Sequence, residues 1–129
     1  MEPFREDAEA LKIKGLRVRH AFEIADADGE VEALQVVFMD GSSLVITVWT
    51  DWSMRVERRS DSEIPEYLWP TEEQVQTAID REIPKDGVEV YSVQERFNEI
   101  GWLVGVEIKF SGFAVAAESW AGNLSLTVR

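Results

Sequence analysis

The stretch that constrains this chain most is Trp102–Phe110, in which Trp102, Val104, Val106, Ile108 and Phe110 alternate with Leu103, Gly105, Glu107 and Lys109. Successive side chains of an extended chain point to opposite faces, so this period of two predicts a half-buried strand. Ser111-Gly112 can turn the chain, and Phe113, Val115 and Ala117 resume the alternation. After Ala121-Gly122, the run Asn123–Val128 sets Leu124, Leu126 and Val128 on one face. The chain therefore closes in an antiparallel meander.

The first half carries the same pattern. Leu16, Val18, His20, Phe22 and Ile24 share one predicted face, opposite Arg17, Arg19, Ala21 and Glu23. Asp28-Gly29 is a strong hairpin signal, and Asp40–Ser43 makes a second turn. Val31–Met39 and Leu44–Thr50 read as strands, followed by an exposed-looking Met54–Arg58. Before Gly15, the spacing of Phe4, Ala8 and Leu11 predicts a short amphipathic helix or arm.

Residues 59–70 form a connector with two prolines, packed down through Ile64, Tyr67, Leu68 and Trp69. Thr71-Glu-Glu-Gln74 matches a capping box, and Val75, Ala78 and Ile79 give a narrow apolar stripe ending at Pro84. A helix over 72–82 follows from that reading. Val88–Val93 then opens the second meander.

The halves correspond. Gly15, Val18, Val36 and Phe38 recur 72 positions later as Gly87, Val90, Ile108 and Phe110, and Met54 and Val56 recur 70 positions later as Leu124 and Leu126. The two-residue slip is assigned to the turn Met39–Ser43, shortened to Ser111-Gly112. The expected fold class is α+β, mainly antiparallel β. Two related four-strand meanders (16–58 and 88–128) pack together, joined by the connector and one helix (72–82). It is one domain, 1–129, with an internal pseudo-repeat of 15–58 and 87–128. A cleft between the halves is the natural place for a ligand.

The 129 residues suffice for a core without staples, and the absence of cysteine removes disulfides and thiolate metal sites. The acidic start lacks a signal-peptide pattern, and no apolar run approaches the ~20 residues of a membrane span, so a cytoplasmic protein is expected. Of the net charge of −12, residues 60–100 carry −8, from 11 acids and 3 bases. Direct binding to nucleic-acid phosphates is disfavoured, and attraction to a basic protein partner is favoured.

His20, the only histidine, is expected on the interior face as a core residue, and Gly-x-Ser-x-Gly is absent, so no hydrolytic triad is supported. Asp26–Glu30 has its glycine fourth rather than sixth, and strands flank it, which makes it a hairpin turn rather than a helix–loop–helix calcium loop. Glu107 and Glu118 lie within apolar strands, on the outer face. No metal or cofactor is expected. Trp69, with Tyr67 and Leu68, sits among Glu63, Glu66, Glu72 and Glu73, and apolar anchors ringed by charge suit a partner-binding surface. Trp49, Trp52, Trp102 and Trp120 are the candidates for lining a ligand cleft between the halves.

The segments Phe38–Val48 and Ser119–Val128 resemble small bacterial β-domains. Size, acidity and lack of cysteine make the chain similar to cytoplasmic immunity proteins, which neutralise toxins by binding them. That resemblance carries over no functional residue. The residues themselves lead to a non-enzymatic protein whose acids at 61–82 steer a basic partner, a toxin with a cationic cleft being one, while Tyr67, Leu68 and Trp69 bury at contact. The alternative is a small-molecule-binding or hydrolytic domain using the tryptophan-lined cleft; an acidic mimic of nucleic acid is a third reading.

Overall fold

The computed structural model describes residues 9–49, 53–79, 83–120 and 122–129. Its strands are β1 (Arg17–Ala25), β2 (Val31–Phe38), β3 (Ser43–Val48), β4 (Met54–Arg59), β5 (Val75–Ala78), β6 (Val88–Phe97), β7 (Leu103–Phe110), β8 (Phe113–Trp120) and β9 (Asn123–Val128). All pair antiparallel along the path β4-β3-β2-β1-β6-β7-β8-β9, and β5 adds to β1 off that path.

The meanders meet at a narrow junction. β1 pairs with β6 only through Arg17↔Glu89 and Val18↔Val88. Beyond it the path folds over, so that β9 lies against β2 and β3, and β4 against β7. Val18, Val36, Phe38, Ile46 and Met54 of one meander then share a core with Val90, Val106, Ile108, Phe110 and Leu124 of the other. Each apolar face is covered by its counterpart, the sheet-on-sheet solution. Ile13, fully buried, closes the core from the N-terminal side.

The two hairpins share one register. Every partner pair of β1 and β2, from Val18↔Phe38 to Ala25↔Val31, reappears in β6 and β7 with both numbers raised by 72, from Val90↔Phe110 to Phe97↔Leu103. Both bulges recur as well, after Val18 and Val90 and again at the far end of each hairpin. The turns match: Asp26 Oδ1 accepts from the N–H groups of Asp28 and Glu30, and Asn98 Oδ1 accepts from those of Ile100 and Trp102. The offset then drops to 71 (Leu44 to Val115) and to 70 (Met54 to Leu124). The slip is thus divided between two turns, where the sequence reading put all of it in the first.

The helix expected over 72–82 is not present among the described residues. Thr71–Glu73 make a single 3-10 turn, Gln74 is extended at φ −80 and ψ 141, and Val75–Ala78 form β5. β1 causes this. After Val18 it parts from β6, leaving one edge of Phe22–Ala25 open, and the chain at 75–79 fills it. The pairs run from Phe22↔Ala78 to Ala25↔Val75, and the Ile79 N–H donates to the Ala21 carbonyl. Satisfying buried backbone groups outweighs a few tenths of helix propensity. Residues 80–82 of the expected helix, and Phe4 and Ala8 of the expected arm, lie outside the described residues.

His20 is exposed rather than interior, again through a bulge. The extra residue between Val18 and His20 swaps the faces, so His20, Phe22 and Ile24 turn outward and His20 stacks on Phe22 at 5.1 Å. The second bulge does the same in β7. Leu103 takes a core position, and Trp102 and Val104 are displaced to partial exposure. Met54 and Val56 are buried, so β4 is not the exposed strand that its charges imply.

Candidate functional site

The outer face of the first meander is roofed by the connector. Ile24, Ala33 and Val45 form a second apolar cluster there, with Leu68 laid upon it and Ile64 beside it. Gln35 fixes the roof. It is fully buried, its Nε2 donates to the carbonyls of Ser62 (3.2 Å) and Glu63 (3.0 Å), and its Oε1 accepts from Gln76 of β5 at 2.6 Å. The Ser43 hydroxyl donates to the Asp61 carbonyl at 2.6 Å. The polar groups of this face are therefore spent on holding the connector's backbone, which a burying side chain must do.

At the edge of the roof Arg59 gathers three carboxylates. Its guanidinium, 13% exposed, reaches Glu57 at 3.1 Å, Asp61 at 3.3 Å and Glu66 at 3.1 Å. Burial opposes the charge on Arg59, but the hydrogen bonds to Glu57 and Asp61 more than offset it and hold its pKa above the ordinary arginine value. Asp61 titrates below its usual range because Arg59, and then the Glu63 N–H, donate to it. Glu66 is lowered by its own backbone N–H and by Arg59. The Tyr67 hydroxyl donates to Glu57 at 2.8 Å, and burial together with that carboxylate pushes its pKa up.

Of the expected partner-binding residues, Leu68 packs inward and Trp69 outward, Trp69 being 81% exposed. Glu63, Glu66, Glu72 and Glu73 are exposed, and Tyr67 is partly so. These residues share one irregular segment running from the roof to the 3-10 turn.

The expected ligand-lining tryptophans are scattered. Trp49 stands at the end of β3, half exposed, with the Arg55 guanidinium 5.1 Å from its ring centroid. Trp120 is 76% exposed at the corresponding end of β8, and Trp102 is half-buried. Trp52 lies outside the described residues. Trp49 borders two hollows. One, of about 560 Å³, runs along Ala10, Thr47, Arg55, Glu57 and Tyr67. The other, of about 410 Å³, lies between Glu30–Glu32, Thr47–Trp49 and Tyr67-Leu68 on one side and Gly122–Leu124 on the other. Neither is lined by Trp102 or Trp120.

Glu32 in the second hollow was invisible as a site residue. It is the extra residue of the bulge that separates Ile24↔Ala33 from Ala25↔Val31. Burial and the neighbouring carboxylate of Asp26 hold its pKa above the ordinary value, while the Gln74 side chain hydrogen-bonds to it. Nothing in the local pattern marks a bulge, so nothing marked Glu32. Gln35 carried a weak signal as the polar position between Ala33 and Val37.

Among the described residues no cluster of three histidines, cysteines or acids is placed to hold a metal ion, and no helix is long and apolar enough to cross a membrane. Compared with protein-family models, curated proteins and solved structures, the chain matches none.

Proposed function

We propose that this chain is a non-enzymatic binding protein in which the connector and the 3-10 turn after it, together residues 61–73, engage a basic protein partner. A toxin neutralised by an immunity protein is one pair of this kind. The observation that carries the reading is Trp69. A tryptophan 81% exposed, in a segment otherwise anchored by Leu68 and Gln35, leaves a large apolar area bare. Exposed Glu63, Glu66, Glu72 and Glu73 surround it in sequence. Aromatic anchors with a charged rim are the usual composition of an interface hot spot, and the rim sets the association rate.

The rigid roof adds to the case. A segment already held by Gln35, Ser43 and Arg59 loses little freedom on binding, which lowers the cost of association. The test is surface plasmon resonance against the partner isolated from the native host. Glu63, Glu66, Glu72 and Glu73 changed together to Lys should slow association at least tenfold and flatten its salt dependence. Trp69→Ala should act mainly by accelerating dissociation. Unchanged rates in both variants would refute the reading.

We also infer that the meanders arose by duplication of one four-strand unit. The shared register, with both bulges at a constant offset, supports this more strongly than hydrophobic patterning does, since alternation alone does not specify where a ladder slips. In that history the connector was free to take on a role that neither copy had.

A further inference from the structure

The 410 Å³ hollow beneath Trp49 and Tyr67 has a different character from its neighbours. The 560 Å³ hollow is lined by Glu9 and Glu57 but also by Arg55 and Arg58; a third, on β6–β8, holds Arg96 and Arg129 among its acids; a fourth, near Gly87, holds Arg17. The described lining here contains Glu30 and Glu32 and no basic residue. Its lining also includes the aromatic residues Tyr67 and Trp49 and the apolar residues Val31, Val48, Leu68 and Leu124. Aromatic faces carry negative quadrupole potential, so two rings and two carboxylates around one apolar space make an environment for a cation with an aliphatic stem.

Trp49 already shows this behaviour. The Arg55 guanidinium lies 5.1 Å from its ring centroid, and Arg55 lines the neighbouring hollow but not this one. Trp49, Thr47 and Tyr67 line both spaces. The Tyr67 hydroxyl is committed to Glu57 at 2.8 Å, which holds that ring in place as a wall. Glu32, on its bulge, is half-buried near Asp26 and Glu30, so the described lining carries negative charge without a counter-charge of its own. At about 410 Å³ the space falls within the range of about 300–1,000 Å³ typical of ligand pockets.

We infer that this hollow receives a lysine or arginine side chain of a protein partner, the aliphatic stem against Val48, Leu68 and Leu124 and the charged head between Trp49 and Tyr67, facing Glu30 and Glu32. The inference rests on the binding reading above and adds to it a specific socket next to the Trp69 ridge, joined to it through Tyr67-Leu68. It calls for a basic residue on the partner at that point, not simply a positive surface.

The test uses the full chain and small probes. N-acetyl-arginine amide, N-acetyl-lysine amide, tetramethylammonium and the neutral N-acetyl-norleucine amide are titrated while the indole N–H resonances are followed by NMR, Trp49 being assigned from Trp49→Phe. The charged amides should shift the Trp49 resonance saturably with dissociation constants on the order of 1 mM, and the neutral amide should not. Glu32→Gln and Glu30→Gln should each weaken the charged amides at least threefold while leaving the spectrum otherwise folded. No saturable shift from either charged amide, equal shifts from the neutral one, or binding of tetramethylammonium alone would overturn the inference. The two readings separate cleanly. If the amides fail but the Lys variants of the connector still slow the partner, the socket falls and the interface stands; if the amides bind while those variants change nothing, the reverse holds.

Discussion

The Arg96 side chain lies flat on Gly105. A Cβ built on that glycine would stand 3.0 Å from Arg96 Nε and 3.4 Å from its Cβ, and the guanidinium continues to Glu118 at 3.1 Å. At the register offsets of 72 and 71, Arg96, Gly105 and Ala116 correspond to Ile24, Ala33 and Val45, the apolar patch roofed by the connector. Among the described residues no segment covers that face of the second meander, which carries instead a long charged side chain laid over a glycine, with Arg129 paired to Glu107 at 2.8 Å alongside. One face is closed by a segment and the other by its own residues.

That arrangement makes Arg96 and Gly105 energetically coupled. Glycine in a strand interior ordinarily gains roughly 0.5–1 kcal/mol on substitution by alanine. Here Gly105→Ala should gain nothing in the wild-type background, because the new methyl displaces Arg96 from Glu118. In the Arg96→Ala background the full gain should appear. A urea-denaturation double-mutant cycle measures the difference, and strictly additive effects would show that the contact is incidental.

The glycines at the meander junction separate two costs that are usually confounded. Gly15 and Gly87 hold corresponding places with φ of +88 and +81, yet no described residue comes within 4 Å of a Cβ on Gly15, whereas one on Gly87 would meet the Val18 carbonyl at 2.8 Å. Gly15→Ala should therefore cost only the backbone term, about 1–2 kcal/mol. Gly87→Ala should cost clearly more, since the obstacle is backbone beside Val18↔Val88, one of the two residue pairs of the β1–β6 ladder. Equal denaturation midpoints for the two variants would contradict this.

How far the sequence reveals the fold follows from what each signal measures. Alternation reports burial on one face, and it located the strands of both meanders because their inner faces run unbroken along β3 and β8 and along β2 and β7 up to a bulge near one end. It is blind to a one-residue bulge, after which the same letters point the other way, and so His20 and Trp102 were put on the wrong faces. β5 was misread for a different reason. Its local chemistry favours a helix start, and only the open edge of β1, more than forty residues earlier, supplies the bonds that make it a strand. The acids and aromatics of 61–73 were legible as a group. The connector's packing through Ile64 and Leu68 was legible too, but not the outward turn of Trp69 or the patch that Leu68 covers, because Ile24, Ala33 and Val45 meet across three strands.

Gln35 offers a direct measure of what the roof contributes. Gln35→Leu removes the donor to the Ser62 and Glu63 carbonyls and the acceptor for Gln76, at a cost of about 1–3 kcal/mol per stranded group that water cannot reach. Faster amide exchange at residues 61–68 than in β7 and β8 should accompany the loss. Uniform exchange throughout would show that the connector does not open separately from the sheet.

Acidity should act on the two carboxylate groups in opposite directions. Asp61 and Glu66 have lowered folded pKa values, so their contribution is complete above the unfolded values and is lost as pH falls through the folded ones. Glu32 has a raised folded pKa, so the folded chain binds its proton first; its penalty is full above the folded pKa and is relieved as pH falls toward the ordinary value near 4.5. On acidification from neutrality, thermal stability should first rise slightly and then fall once Asp61 and Glu66 protonate. Glu32→Gln mimics the protonated form, so it should raise the midpoint at pH 7 by up to about a few degrees and abolish the initial rise while leaving the acid limb in place. Calorimetry across pH 3–7 on both proteins checks the sign, and a Glu32→Gln variant less stable than wild type at pH 7 would mean that the carboxylate is stabilised by its surroundings rather than crowded by Asp26.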